Sequence, residues 1–216
     1  MRAILPGSAN AFAATAATAA AQGGSRYPSR RALLQAFVVA ASCGLARRAR
    51  AADVSVPIGL QSELIAKIAA FDRAFRARSG STARLIVVHK SGGDSARIGD
   101  QMATALKGTP AIAGLPKTVE RLQWSGAMAL QAAIRARPTA LVYLSVGLEV
   151  EAAATAVALA GTDVLTVGAT GAIAERGACV GFELEEGKPK IYVNLRVAKA
   201  QNVDFGARLL RLVKLV

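Results

Sequence analysis

The stretch most able to do chemistry is His89-Lys90-Ser91-Gly92-Gly93-Asp94-Ser95, at the end of the apolar run Arg84–His89. In a parallel α/β sheet, ligands gather at the carboxyl ends of strands. Free amides at the start of the next helix could hold an anion there, with Lys90 beside them. Ser145 closes a second apolar run and would join the same rim. The loop is neither GxGxxG nor GxxxxGK[ST], so a plain strand-to-helix turn is the competing reading. His89 is the one histidine of the chain. That excludes HExxH chemistry and leaves His89 with no second imidazole ligand. A GxSxG hydrolase motif is also missing. Glu183, Glu185 and Glu186 could suggest paired carboxylates, yet on a strand Glu183 and Glu185 share one face, which reads as solvated. Cys179 lies in Ala178-Cys179-Val180-Gly181-Phe182 and reads as a small buried hydrophobe. No catalytic set, cofactor motif or metal-ligand cluster emerges, so the expectation is a non-enzyme with no cofactor.

The elements that would position these residues alternate. Leu60, Leu64, Ile68, Phe71 and Phe75 fall at helical spacing and predict one helix over 59–78. Strands are predicted at 84–89, 118–123, 140–145 and 164–168, with helices at 95–107, 125–136 and 149–160 between them. The last of these helices is Ala-rich and weakly patterned. Such alternation implies right-handed crossovers and a mainly parallel sheet, hence an α/β fold. The pattern then changes. Val180–Glu185 and 190–193 flank Glu186-Gly187-Lys188-Pro189 and predict a β-hairpin. Asn194 can cap a short helix at 195–201. Asp204 is a candidate cap for a closing helix with Phe205, Leu209, Leu212, Val213 and Val216 on its apolar face.

Charge divides the chain of 216 residues. Its formal net charge is +13, from 27 Lys and Arg against 14 Asp and Glu. Seven arginines and no acid lie in residues 1–52, leaving 20 basic and 14 acidic residues, or +6, on 53–216. Residues 32–45 (ALLQAFVVAASCGL) follow Ser29-Arg30-Arg31 and are too short to span about 30 Å of hydrocarbon comfortably. Ala49-Arg50-Ala51 offers a small-x-small cleavage signal. Residues 1–52 therefore read as an N-terminal extension and cleaved export signal, and 53–216 as a single domain with no stable membrane insertion after cleavage. The paired arginines resemble the twin-arginine export motif. A lipoprotein acylated at Cys43 is the rival reading. The remaining basic residues are interleaved with acids and poor in aromatic partners, which excludes an evident nucleic-acid surface.

Gly181-Phe182, Glu186-Gly187-Lys188, Ile191, Val193-Asn194-Leu195 and the leucines at 209, 210 and 212 together resemble the signature of the YfiR family of periplasmic regulators. The resemblance covers roughly residues 58–216. It implies a small Rossmann-like three-layer α/β domain ending in a β-hairpin plus helix. It also implies a partner: the periplasmic sensor region of an inner-membrane diguanylate cyclase, which the family's regulators repress to lower cyclic di-GMP. The chain departs from the family in keeping a single cysteine after cleavage. It also carries Phe71-Asp72-Arg73-Ala74-Phe75 where an F-x-x-W-P-like end of the first helix is usual.

The expectation is a periplasmic signalling regulator that binds a membrane protein, with a homodimer as a further candidate assembly. Phe71, Phe75 and Arg76 on the first helix are the candidate partner contacts, against packing of that stripe on the protein's own sheet. The alternative is a periplasmic small-ligand-binding module using the strand ends near His89, Lys90, Ser91, Gly92, Gly93 and Ser145. Gly181, Phe182, Gly187, Lys188, Asn194 and Leu195 are read as mainly structural.

Overall fold

The computed structural model describes residues 56–216. The expected leader, Arg30-Arg31, Cys43 and the cleavage signal lie outside the described residues.

The chain enters through helix α1 (Ile58–Phe71) and a short helix α2 (Phe75–Ser79). Strand β1 (Ala83–His89), helix α3 (Gly93–Gly108) and strand β2 (Lys117–Gln123) follow. Next come α4 (Ala127–Ala136), β3 (Leu141–Leu144), α5 (Ala152–Ala158) and β4 (Leu165–Gly168). A helix α6 (Gly171–Arg176) leads to β5 (Val180–Glu185) and β6 (Lys188–Val193). The chain closes with α7 (Leu195–Ala200), α8 (Ala207–Leu210) and β7 (Lys214–Leu215).

The strands form one seven-stranded sheet in the order β2-β1-β3-β4-β5-β6-β7. All neighbours are parallel except β5 and β6. β3 and β4 are buried along their whole length, as strands covered on both faces must be. β2 lies at the edge and alternates half-buried with exposed residues. The crossover from β1 to β2 runs one way along the sheet, and those leading to β3, β4 and β5 run the other. Right-handed crossovers therefore place α3 on one face and α4, α5 and α6 on the opposite face. α1 and α8 join the α3 side, where α1 packs on α3. The mixed α/β, three-layer expectation is met. The sheet core is formed by residues such as Leu85, Ile86, Leu141, Tyr143, Leu165 and Phe182, all buried.

Three local expectations are corrected. The helix predicted over 59–78 breaks at Asp72, whose backbone turns extended. Its carboxylate accepts from the amides of Ala74 (3.1 Å) and Asp204 (3.3 Å) and pairs with Arg78. A β-bridge joins Asp72 to Phe205. These tertiary bonds outweigh helical continuity and turn Phe75 into the core. The predicted closing helix shrinks to α8, because Lys214 is drawn to the sheet edge. Its ammonium stands 4.7 Å over the Tyr192 ring and donates to Glu185 at 2.7 Å. In the hairpin, the turn is only Glu186-Gly187, both with left-handed φ (53° and 75°), and β6 already begins at Lys188. That geometry suits a two-residue type I′ turn, where glycine meets φ > 0 without strain.

Candidate functional site

The carboxyl ends of β1, β3 and β4 form a rim where the sequence placed its candidate ligand loop. Gly92 and Gly93 both adopt left-handed φ (70° and 60°), which lets the chain turn sharply from β1 into α3. The loop is then closed by its own bonds. The Lys90 amide donates to Ser95 Oγ at 3.0 Å, and the buried Ser145 hydroxyl donates to the Ser95 carbonyl at 2.8 Å. His89 Nδ1 lies 3.0 Å from the Lys90 carbonyl. A carbonyl can only accept, so Nδ1 carries the proton. The His89 ring packs on Gly99, where an added Cβ would stand 3.0 Å from the His89 Cβ. Ser91 is exposed.

Lys90 is not a free cation. Its ammonium pairs with Glu151 Oε1 at 2.7 Å. Glu151 Oε2 and the Thr170 hydroxyl are buried without a hydrogen-bond partner among the described residues. Sequence reasoning put Glu151 inside the helix predicted at 149–160 and gave no hint of its pairing, because it stands just before α5 and its partner Lys90 lies far away in the chain.

A second buried chain of bonds fastens α1 to the same rim. The Tyr143 hydroxyl donates to Gln61 Oε1 at 3.0 Å, and Gln61 Nε2 donates to the carbonyls of Val56 (3.0 Å) and Ala169 (3.2 Å). Burial pushes the Tyr143 phenol far above its usual range. It is therefore a fixed hydroxyl donor and no acid or base at ordinary pH.

Cys179 is fully buried, and burial raises its thiol to about 11. The thiol and the Thr166 hydroxyl both donate to Gln201 Oε1, at 3.1 Å and 2.9 Å. A thiol so placed is a packed group rather than a nucleophile. Glu185 accepts from Lys214 and from the Tyr192 hydroxyl (2.5 Å), and these bonds lower its pKa. Among the described residues no group of three or more His, Cys, Asp or Glu is placed to hold a metal.

The expected partner contacts separate. Phe75 is 0% exposed and lies beneath the Arg78 guanidinium, so it cannot meet a docking partner in this conformation. Phe71 is half-buried, and Arg76 is exposed beside Gly114. The break at Asp72 is what parts them.

Two of the C-terminal motif residues, Gly181 and Asn194, meet at α6, while Gly187 and Lys188 stand apart at the exposed hairpin turn. A Cβ on Gly181 would stand 2.4 Å from the Thr170 carbonyl and 2.8 Å from Ala174 Cβ, so only glycine lets β5 lie this close to α6. Phe182 is fully buried beside it in sequence. Asn194 Oδ1 accepts from the Val197 amide at 3.1 Å, and its Nδ2 donates to the Ala174 carbonyl at 3.0 Å. It thus caps α7 and ties it to α6. Leu195 is half-buried behind it, and Lys188 is exposed at the turn.

A family profile described as YfiR/HmsC-like matches residues 59–214, nearly the whole of this domain. The chain belongs to the YfiR/HmsC-like family. The match embraces the α6-centred motif and α1 alike, and YfiR/HmsC-like membership supports a periplasmic regulatory role. No curated protein matches significantly. Two solved structures share the fold. One is an ABC domain in complex with L-Trp from Streptococcus pneumonia, with a TM-score of 0.54 and 10% identity over 74% of this chain and 62% of that one. The other is a conserved domain protein from Vibrio cholerae, with a TM-score of 0.52 and 16% identity over 74% and 60%. The chain thus spans about three fifths of the length of each. No helix among the described residues is long and apolar enough to cross a membrane.

Proposed function

We propose that the chain is a non-enzymatic periplasmic regulator that binds the periplasmic sensor region of an inner-membrane diguanylate cyclase, or a similar signalling protein, and represses it. The YfiR/HmsC-like match over residues 59–214 carries this reading. A strand-end rim closed by its own hydrogen bonds, with no nucleophile–base pair among the described residues, accords with binding rather than catalysis. Residues 1–52 act as the export signal, and the domain starting near residue 53 is the working protein. Deleting the gene should raise cyclic di-GMP, and returning it should restore the basal level. Crosslinking in the native periplasm should capture a membrane signalling protein. Unchanged cyclic di-GMP together with no such capture would overturn the proposal.

A second reading is favoured by the unpartnered Glu151 Oε2 and Thr170 hydroxyl at the rim. They could meet the ammonium or amide of a small ligand, and the similar ABC domain was solved with L-Trp. Thermal-shift measurements with L-Trp and other amino acids separate the readings. A saturable shift abolished by a His89/Lys90 double substitution supports ligand capture, and no shift rejects it.

A further inference from the structure

Surface helices of a globular domain keep a polar or charged outer face. α1 and α3 do so, exposing Glu63 and Lys67, then Arg97, Asp100 and Lys107. On the opposite face α6 exposes Glu175 and Arg176, but α5 and most of α4 do not follow the rule. α5 exposes Ala153, Ala154 and Val157, with Ala160 just beyond it, and carries no charged side chain at all. Val157 is 80% exposed. The neighbouring α4 exposes Met128, Ala129 and Ala132 before its one charge at Arg135. Both helices are therefore apolar on the side that meets water as well as on the side that meets the sheet. That is the pattern of helices that are covered.

Beside α5 the surface dips into a groove of about 420 Å³ between α5, α6 and α7, lined by Ala156, Val157 and Val197 among other apolar side chains. Arg176 and Arg196 flank it. Neither forms an ion pair among the described residues, and none of the arginines that do lines the groove. Small side chains let another backbone come close, and two unpaired guanidinium groups at the rim are ready-made carboxylate forks.

We propose that this face, α5 with the groove it shares with α6 and α7, is the docking surface, and that it takes an amphipathic segment of the partner whose apolar stripe enters the groove and whose Asp or Glu residues reach Arg176 and Arg196. The proposal rests on the regulator reading above and names its contact face. Charge decides among the possible occupants. A second copy docked isologously would bring two pairs of uncompensated arginines together, a like-charge contact that costs affinity. Residues 1–52 of this chain hold seven arginines and no acid, the wrong sign.

The test uses the full chain produced in its native host. A photocrosslinking amino acid is placed at Val157 and, for comparison, at the exposed Thr104 on α3. Val157 should crosslink the membrane signalling protein at a segment with acids flanking an apolar stripe, and Thr104 should not. Arg176→Glu with Arg196→Glu should lower the crosslink at least about tenfold, and changing the partner's acids to Lys should restore it. Ala153→Asp, on the same groove, keeps both arginines and the crosslinker at Val157 and should weaken it similarly. All three positions are exposed, so the variants should melt as the parent does. Capture of the signalling protein through Thr104 alone leaves the regulator reading standing and overturns this face. So does a Val157 crosslink between two copies of the chain, or a signalling-protein crosslink that neither charge reversal nor Ala153→Asp weakens. Loss of capture at both positions, with cyclic di-GMP unchanged on gene deletion, removes the regulator reading itself.

Discussion

At the scale of the residue, the polar groups inside this domain act as fasteners. Tyr143 and Gln61 satisfy each other and two carbonyls in a dry setting. Tyr143→Phe keeps the shape and leaves Gln61 Oε1 unpaired, so it should cost about 1–3 kcal/mol in urea unfolding. Cys179 should resist thiol reagents in the native state and react on unfolding. Its thiol, raised to about 11 from an ordinary value of 9.0, also sets a pH window. A raised acid keeps its full contribution below the unfolded pKa and loses it as pH climbs to the folded one. Stability should therefore fall between about pH 9 and 11, by roughly 2 kcal/mol from this group. Cys179→Ala should remove that part of the slope in denaturation curves taken across the range. The cap at Asn194 and the hairpin glycine were legible in the sequence because both act on near neighbours. Gln61 and Glu151 were not, since their partners lie elsewhere in the chain: Gln61 reaches Ala169 and Tyr143, and Glu151 reaches Lys90.

At the scale of the element, periodicity recovered the four parallel strands, the three crossover helices between them and the hairpin, with ends shifted by a few residues. It failed where long-range bonds prevail over local pattern. Phe71 and Phe75 keep helical spacing, yet the Asp72 carboxylate ends the helix between them. α6 was missed because six residues are too few to show a period. The break has an energetic signature. Arg78 is 8% exposed in its side chain and pairs with a fully buried Asp72 carboxylate. Asp72→Ala strands that cation and should cost about 3–5 kcal/mol. Adding Arg78→Met should recover part of the loss, and a double-mutant cycle by chemical denaturation measures how much.

At the scale of the whole molecule, the helical layers are unequal, with α1 and α3 charged on their outer sides and α5 bare, and the net charge is unequal as well. On the export reading proposed above, the +7 carried by residues 1–52 is an address. Intact-mass analysis of periplasmic protein should find a start near residue 52 or 53, and Arg30→Lys with Arg31→Lys should block delivery if the paired arginines direct it. One feature of the fold bears on the timing of that journey. The first helix is held by the far end of the chain: Asp72 by the Asp204 amide, the Phe71 carbonyl by the Gly206 amide at 3.0 Å, Arg73 by the Asp204 carbonyl at 2.9 Å. Vectorial synthesis cannot complete such a domain from front to back, because the end of its opening helix is not pinned until residues 204–206 have emerged. Contact order is raised at the seam, folding is slowed, and until residues 204–206 emerge the end of the first helix stays incompletely fastened and within reach of a chaperone.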